Sequence, residues 1–160
     1  MDPILCFTDG SKSKNRVGFA FSVGDTTVAL RHQNPTSSYT AELQAIFSCL
    51  ENMSGKYPHH HSHSLAEPSP FLVISDSVAA LLAIAQPYSS HPLVTRIPPL
   101  ITTFTAISIP VTFIWAPSYQ GIPGNENVHS AAKQALLSSL RPRSPSPWNT
   151  FLYASNSLAY

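Results

Sequence analysis

Ile4-Leu5-Cys6-Phe7-Thr8-Asp9-Gly10-Ser11 is the stretch whose reading decides the fold. It opens as a short apolar run of strand type, and the Asp-Gly-Ser that follows is a turn signal. A carboxylate at the end of a buried strand is costly to desolvate unless a cation meets it there. Metal ions are the usual cation in such a place, and other carboxylates further along the chain should then converge on the same spot.

Working outward, residues 3–8 read as a first strand and Ser11 to Asn15 as a polar turn. Arg16 to Val23 follows as a second strand, and Gly24-Asp25 is a hairpin signal leading to a third strand over Thr26 to His32. Gln33 to Ser38 is a polar loop. At Tyr39 the period changes: Leu43, Ile46, Phe47 and Leu50 repeat at helical spacing to about Met53, with Thr40 as the expected N-cap. Glu42 then falls in the first helical turn, where a carboxylate favourable to the helix dipole is the plainer reading. The sharper reading is a ligand aimed back at the end of the first strand.

Phe71-Leu72-Val73-Ile74-Ser75-Asp76-Ser77 repeats the opening design. An apolar strand ends in an aspartate and a helix follows over Val78 to Ala85. Aspartate is also a good N-cap, but two such endings with Glu42 between them form a pattern. Residues 93–106 read as helical, with Pro98-Pro99 expected to interrupt any long helix. Val111 to Trp115 is a fifth strand, followed by a Gly/Pro loop and a last helix over about Asn125 to Leu140. This order predicts an α/β fold with a five-stranded mixed sheet. An antiparallel hairpin forms one edge, and the later strands run parallel, with helices packed on both faces.

Composition narrows the classes. The 160 residues are 43% hydrophobic, enough for one domain with a sizeable core. No apolar run approaches the roughly 20 residues of a membrane span, so no membrane partner is expected. Only Cys6 and Cys49 are present, both in apolar contexts. That favours reduced core thiols and an intracellular setting. Charged residues make up 11% and the net charge is +1, which argues against a strong free-standing nucleic-acid binder. The 15 prolines gather at residues 54–70 and 141–147, both read as irregular. The domain is therefore expected over residues 1–140, with 54–70 as a solvated loop carrying four histidines and 141–160 as a Pro/Ser-rich tail. A specific zinc site in the histidine tract is not expected, because no cysteine or spaced second pair accompanies it.

Taken together, Phe7-Thr8-Asp9-Gly10-Ser11, Thr40-Ala41-Glu42-Leu43, Ser75-Asp76-Ser77 and the run from Trp115 to Lys133 (WAPSYQGIPGNENVHSAAK) resemble a type 1 ribonuclease H domain. The wording is most similar to the domains that follow the reverse transcriptase in non-LTR (LINE-type) retrotransposons. The resemblance covers about residues 3–140, with its four motifs in the family's order. It implies an RNase H-like fold and hydrolysis of the RNA strand of RNA–DNA hybrids by two divalent ions. One ion activates water and the other stabilises the leaving oxygen. Oxygen-rich ligands suit Mg2+. By resemblance Asp9 bridges the two ions, Glu42 and Asp76 hold one, and a fourth residue in the last helix helps to hold the other.

Two positions depart from the family pattern. His129 stands where the last aspartate is expected, and Tyr119 stands where the mobile loop usually carries a histidine. Imidazole is neutral and softer than carboxylate, so His129 in that role implies a preference for Mn2+ and weakened hydrolysis. Glu126, one turn earlier, is a candidate to compensate. Ser11, Asn15, Ser37, Ser77 and Tyr119 lie beside the motifs as candidate substrate contacts, the serines being equally at home as turns or caps. No helical run dense in lysine or arginine appears, so affinity for the hybrid is expected to come from an attached or neighbouring reverse transcriptase. The contrasting class is a catalytically degenerate hybrid-binding or interaction module on the same fold.

Overall fold

The computed structural model describes residues 2–32, 35–56, 69–86, 88–138 and 151–153. The first three strands are β1 (Ile4–Ser13), β2 (Arg16–Val23) and β3 (Thr26–Arg31), joined antiparallel in sequence. Helix α1 (Ser38–Lys56) crosses to β4 (Phe71–Ser75), then α2 (Val78–Ala85) and α3 (Pro92–Ala106) lead to β5 (Val111–Trp115) and α4 (Pro123–Ala135). Strand β4 pairs parallel with β1, and β5 parallel with β4. The expected mixed sheet is present, in the order β5-β4-β1-β2-β3. A three-residue strand from the tail, β6 (Phe151–Tyr153), pairs antiparallel with β3 and extends that edge to a sixth strand.

Helices cover both faces. On one side α1 is sandwiched between the sheet and α3, so its buried set includes Gln44, Ser48 and Cys49 as well as the apolar Leu43, Ile46, Phe47, Leu50 and Met53. Phe71 and Phe104 meet edge to face at 5.6 Å in this layer. On the other side α4 rests Val128 and Ala132 on Ala20. Strand β2 is covered on both faces and is therefore buried at seven consecutive positions, Val17 to Val23, instead of alternating. Cys6 and Cys49 are free and buried, as expected. Among the described residues no helix is long and apolar enough to cross a membrane.

Four expectations are corrected. First, β1 does not stop at Asp9 but runs to Ser13, and the reversal comes at Lys14-Asn15, with Lys14 at φ 52°. Gly10 is not a turn residue. It is where the backbone of α1 lies against β1: a Cβ there would come 2.5 Å from the Glu42 nitrogen and 2.7 Å from the Ala41 carbonyl carbon.

Second, α1 starts before Thr40. Ser37 caps it, its hydroxyl accepting from the Thr40 amide at 2.9 Å, so Glu42 lies beyond the first turn. The helix also continues to Lys56, through the first residues of the expected loop; its histidines at 59, 60, 61 and 63 lie outside the described residues. Third, Pro98 and Pro99 sit inside α3 without ending it. Both are on its exposed face, while Leu93, Val94, Ile97 and Phe104 anchor the buried one. Fourth, α4 starts at Pro123 and ends at Ala135, short of Leu140.

Substitution Gly10→Ala should lower stability by about 1–3 kcal/mol, the usual penalty for overpacking a tight contact. Urea unfolding measures it, and an unchanged midpoint would contradict the close approach of α1 to β1.

Candidate metal centre

Register alone brings two carboxylates together. In the parallel pair, Thr8 lies opposite Ser75, so Asp9 on the continuing β1 stands beside Asp76, where the chain leaves β4. The Gly10 contact then places Glu42 over the same point from the opposite helix layer. Carboxylate oxygens of Asp9, Glu42 and Asp76 all lie within 4.8 Å of one another.

Each member is held by its own surroundings. Asp9 is 3% exposed, and its Oδ2 accepts from His129 Nδ1 at 3.2 Å. Asp76 accepts from the Ser118 hydroxyl at 2.5 Å, and its backbone carbonyl accepts from the Trp115 indole at 3.1 Å. Glu42 receives a hydrogen bond from the Gly10 backbone, but its buried Oε2 has no partner.

Electrostatics mark the same point. Burial first, then the charges of Asp9 and Asp76, push Glu42 up to about 9. Asp9 is raised to about 6, chiefly by burial and then by Asp76, with His129 and Lys133 opposing. Buried beside one another and beside Asp76, Glu42 and Asp9 hold protons that ordinary carboxylates release. A divalent cation would remove the cause, and the donor set of hard oxygens with one unpartnered buried Oε2 fits Mg2+ or Mn2+.

His129 reaches Asp9 because of how α4 is seated. Asp9 pairs with Ala20 across the β1–β2 ladder, and Val128 and Ala132 pack on Ala20, which leaves His129 above Asp9. His129 Nε2 lies 2.8 Å from the Tyr119 hydroxyl, and the two rings meet edge to face at 5.0 Å. Beside an ionised Asp9, which only accepts, Nδ1 carries a proton. The two departures seen in the sequence thus form one hydrogen-bonded unit, with Tyr119 at φ 57°. His129 contacts Asp9 but is outside the set of three mutually close oxygens.

The remaining candidates divide. Ser37 and Ser77 serve as caps, Ser77 accepting from the Ala80 amide at 3.3 Å. Ser11 lies on β1 two residues past Asp9, on the same face of the strand. Asn15 is at the tip of the β1–β2 hairpin, past the end of β1 at Ser13, which lies roughly 13 Å along the strand from Asp9. Glu126 does not join the carboxylates; its side chain accepts from the Gly121 amide at 3.0 Å and steadies the loop before α4. Ser118 and Trp115 were not singled out in the sequence, because only the fold carries them to a partner about 40 residues away.

No protein-family model matches this sequence, and no curated protein matches it. Solved structures do match its fold. LC11-RNase H1 in complex with an RNA/DNA hybrid superposes with a TM-score of 0.59 at 18% identity, over 84% of this chain and 99% of that one. RNase H1 from the halophilic archaeon Halobacterium salinarum gives 0.58 at 15% identity, over 84% and 97%. A foamy viral protease-reverse transcriptase in complex with dsDNA gives 0.64 at 12% identity, over 84% and 94%. The chain has the RNase H-like fold, and its structural neighbours are RNase H1 proteins and a retroviral reverse transcriptase.

The raised carboxylates fix the sign of a pH effect. Between the ordinary values, 3.8 for Asp9 and 4.5 for Glu42, and the folded values of about 6 and about 9, the native state binds more protons than the unfolded chain. Their contribution to stability is therefore full below the ordinary values and is lost as pH rises through the folded ones. The melting temperature of chelator-treated protein should fall from pH 5.5 to 9 more steeply than that of Glu42→Gln. Saturating Mg2+ should raise it more at pH 8.5 than at pH 5.5, where Glu42 must first give up a proton. Parallel profiles for the two proteins, or a metal effect independent of pH, would contradict the proton assignment.

Proposed function

We propose that this chain is a divalent-cation-dependent ribonuclease H. On this reading it hydrolyses the RNA strand of RNA–DNA hybrids during the reverse transcription of a non-LTR retroelement, beside an attached or neighbouring reverse transcriptase. The observation that carries the reading is the convergence of Asp9, Glu42 and Asp76 oxygens within 4.8 Å, with a buried Glu42 Oε2 left unpartnered. The retroelement setting rests on the wording of the four motifs.

Asp9, Glu42 and Asp76 would hold the cations. Divalent ions bound there supply an activated water and stabilise the leaving oxygen. The chain's own part is to fix the ligands beforehand. Asp9 is locked in the middle of the sheet and oriented by His129, Asp76 is steadied by Ser118, and Glu42 is held against Gly10. With His129 in place of a fourth carboxylate the site carries one negative charge fewer, which supports weaker hydrolysis and a relative preference for Mn2+ over Mg2+. One observation favours the second reading, a non-catalytic hybrid-binding module. Both nitrogens of His129 are engaged, one by Asp9 and one by Tyr119, so neither is free for a cation.

Cleavage of a labelled RNA–DNA hybrid in Mn2+ and in Mg2+ separates the two. The enzyme reading predicts measurable cleavage, faster in Mn2+. Removing the Asp9 carboxylate in Asp9→Asn should slow it by more than about 100-fold, since even groups that only orient metal ligands are worth 10–100-fold. His129→Asp should raise the Mg2+-supported rate. No cleavage in either ion, from protein with an intact melting transition, would overturn the enzyme reading in favour of the module.

A further inference from the structure

The carboxylate site does not use the C-terminal end of β1, four residues beyond Asp9. There the Lys14-Asn15 reversal faces the C-terminal end of α4 across a cleft of about 530 Å³, lined by Ser13, Lys14, Asn15, Arg16, Lys133 and Leu136 among others. Seven cationic side chains occur among the described residues, and four of them (Lys12, Lys14, Arg16, Lys133) stand on or beside this hairpin and helix end. No carboxylate lines the cleft. Among the described residues, Arg96–Glu51 is the one contact between a lysine or arginine and a carboxylate close enough for an ion pair, so Lys14, Arg16 and Lys133 have no acidic partner there.

Two further features suit the cleft to an anion. Arg16 donates to the Leu136 carbonyl at 3.4 Å, which offsets the negative end of α4 beside the cations. Lys14 occupies a left-handed backbone position, φ 52°, where glycine or asparagine is the easier choice. A lysine held there at a conformational cost points to a use for its charge.

We propose that this cleft binds the phosphodiester backbone of the nucleic acid held at the carboxylates. This rests on the hybrid reading above and adds a second point of grip. Lys133 lies between the two places: it lines the cleft and its charge is felt at Asp9. Four strand steps carry β1 from Asp9 to Ser13, where the hairpin turn begins, roughly 13 Å, which corresponds to about four base pairs along a duplex at 3.4 Å per step. The cleft reads charge and not sequence, as phosphate contacts do.

The test is salt-dependent binding of a 20-base-pair RNA–DNA hybrid, followed by fluorescence anisotropy in an Asp76→Asn background so that cleavage does not run. Replacing both tip cations, Lys14→Gln with Arg16→Gln, should weaken binding at least fivefold. It should also flatten the slope of log Kd against log salt by one to two, about one for each phosphate no longer neutralised. The charge-preserving pair Lys14→Arg with Arg16→Lys should bind as the parent does, which separates an effect of charge from an effect of folding. If the parent binds and the neutral pair shows the same Kd and slope, the cleft proposal is overturned and the hybrid reading stands. If the parent binds no hybrid at all, both are overturned.

Discussion

Mutual repulsion of three acidic side chains is the constraint that the rest of this structure serves. At separations of 4 to 5 Å, a pair of unit charges repels by roughly 3–4 kcal/mol at an effective dielectric of about 20, less where solvent reaches one of them. Asp9, Glu42 and Asp76 come from three different elements and lie within 4.8 Å. The fold does not relax this strain by turning one outward. Sheet register fixes Asp9 beside Asp76, and the bare backbone of Gly10 brings α1 down until Glu42 joins them. Burial and this repulsion together raise Glu42 to about 9.

Around that point, neighbours orient the carboxylates and offset only part of their charge. Ser118 and Trp115 from the end of β5 and its loop tie down Asp76 and its backbone. His129 from α4 fixes one oxygen of Asp9, and Tyr119 fixes His129 in turn. Lys133, one turn further along α4, brings positive charge between the carboxylates and the basic cleft at the hairpin tip. Helix α4 therefore links the two ends of the candidate substrate path through consecutive turns of one face.

The carboxylates and the layered sheet were legible in the sequence because they depend on local pattern and motif order. Alternation and turn residues located the strands, and helical spacing located α1. What was misread depended on tertiary contact. Asp9-Gly10-Ser11 looks like a turn by composition, yet Gly10 is there for the close approach of α1, and the strand runs on to Ser13. Pro98-Pro99 look like a break, yet an exposed face tolerates them while the buried face of α3 stays anchored. Tyr119 and His129 look like two separate departures, and only the fold shows them bonded to each other. The basic cleft was invisible because its cations sit on a turn and on a helix end more than 100 residues apart, so no charge run forms.

Crystals grown with Mn2+ and measured at the manganese absorption edge test the cation-binding site most directly. The anomalous map should place manganese among the oxygens of Asp9, Glu42 and Asp76, with Glu42 Oε2 turned onto it. Saturating Mn2+ with no anomalous peak at these three side chains, or the carboxylates found facing apart, would contradict a site built to hold cations.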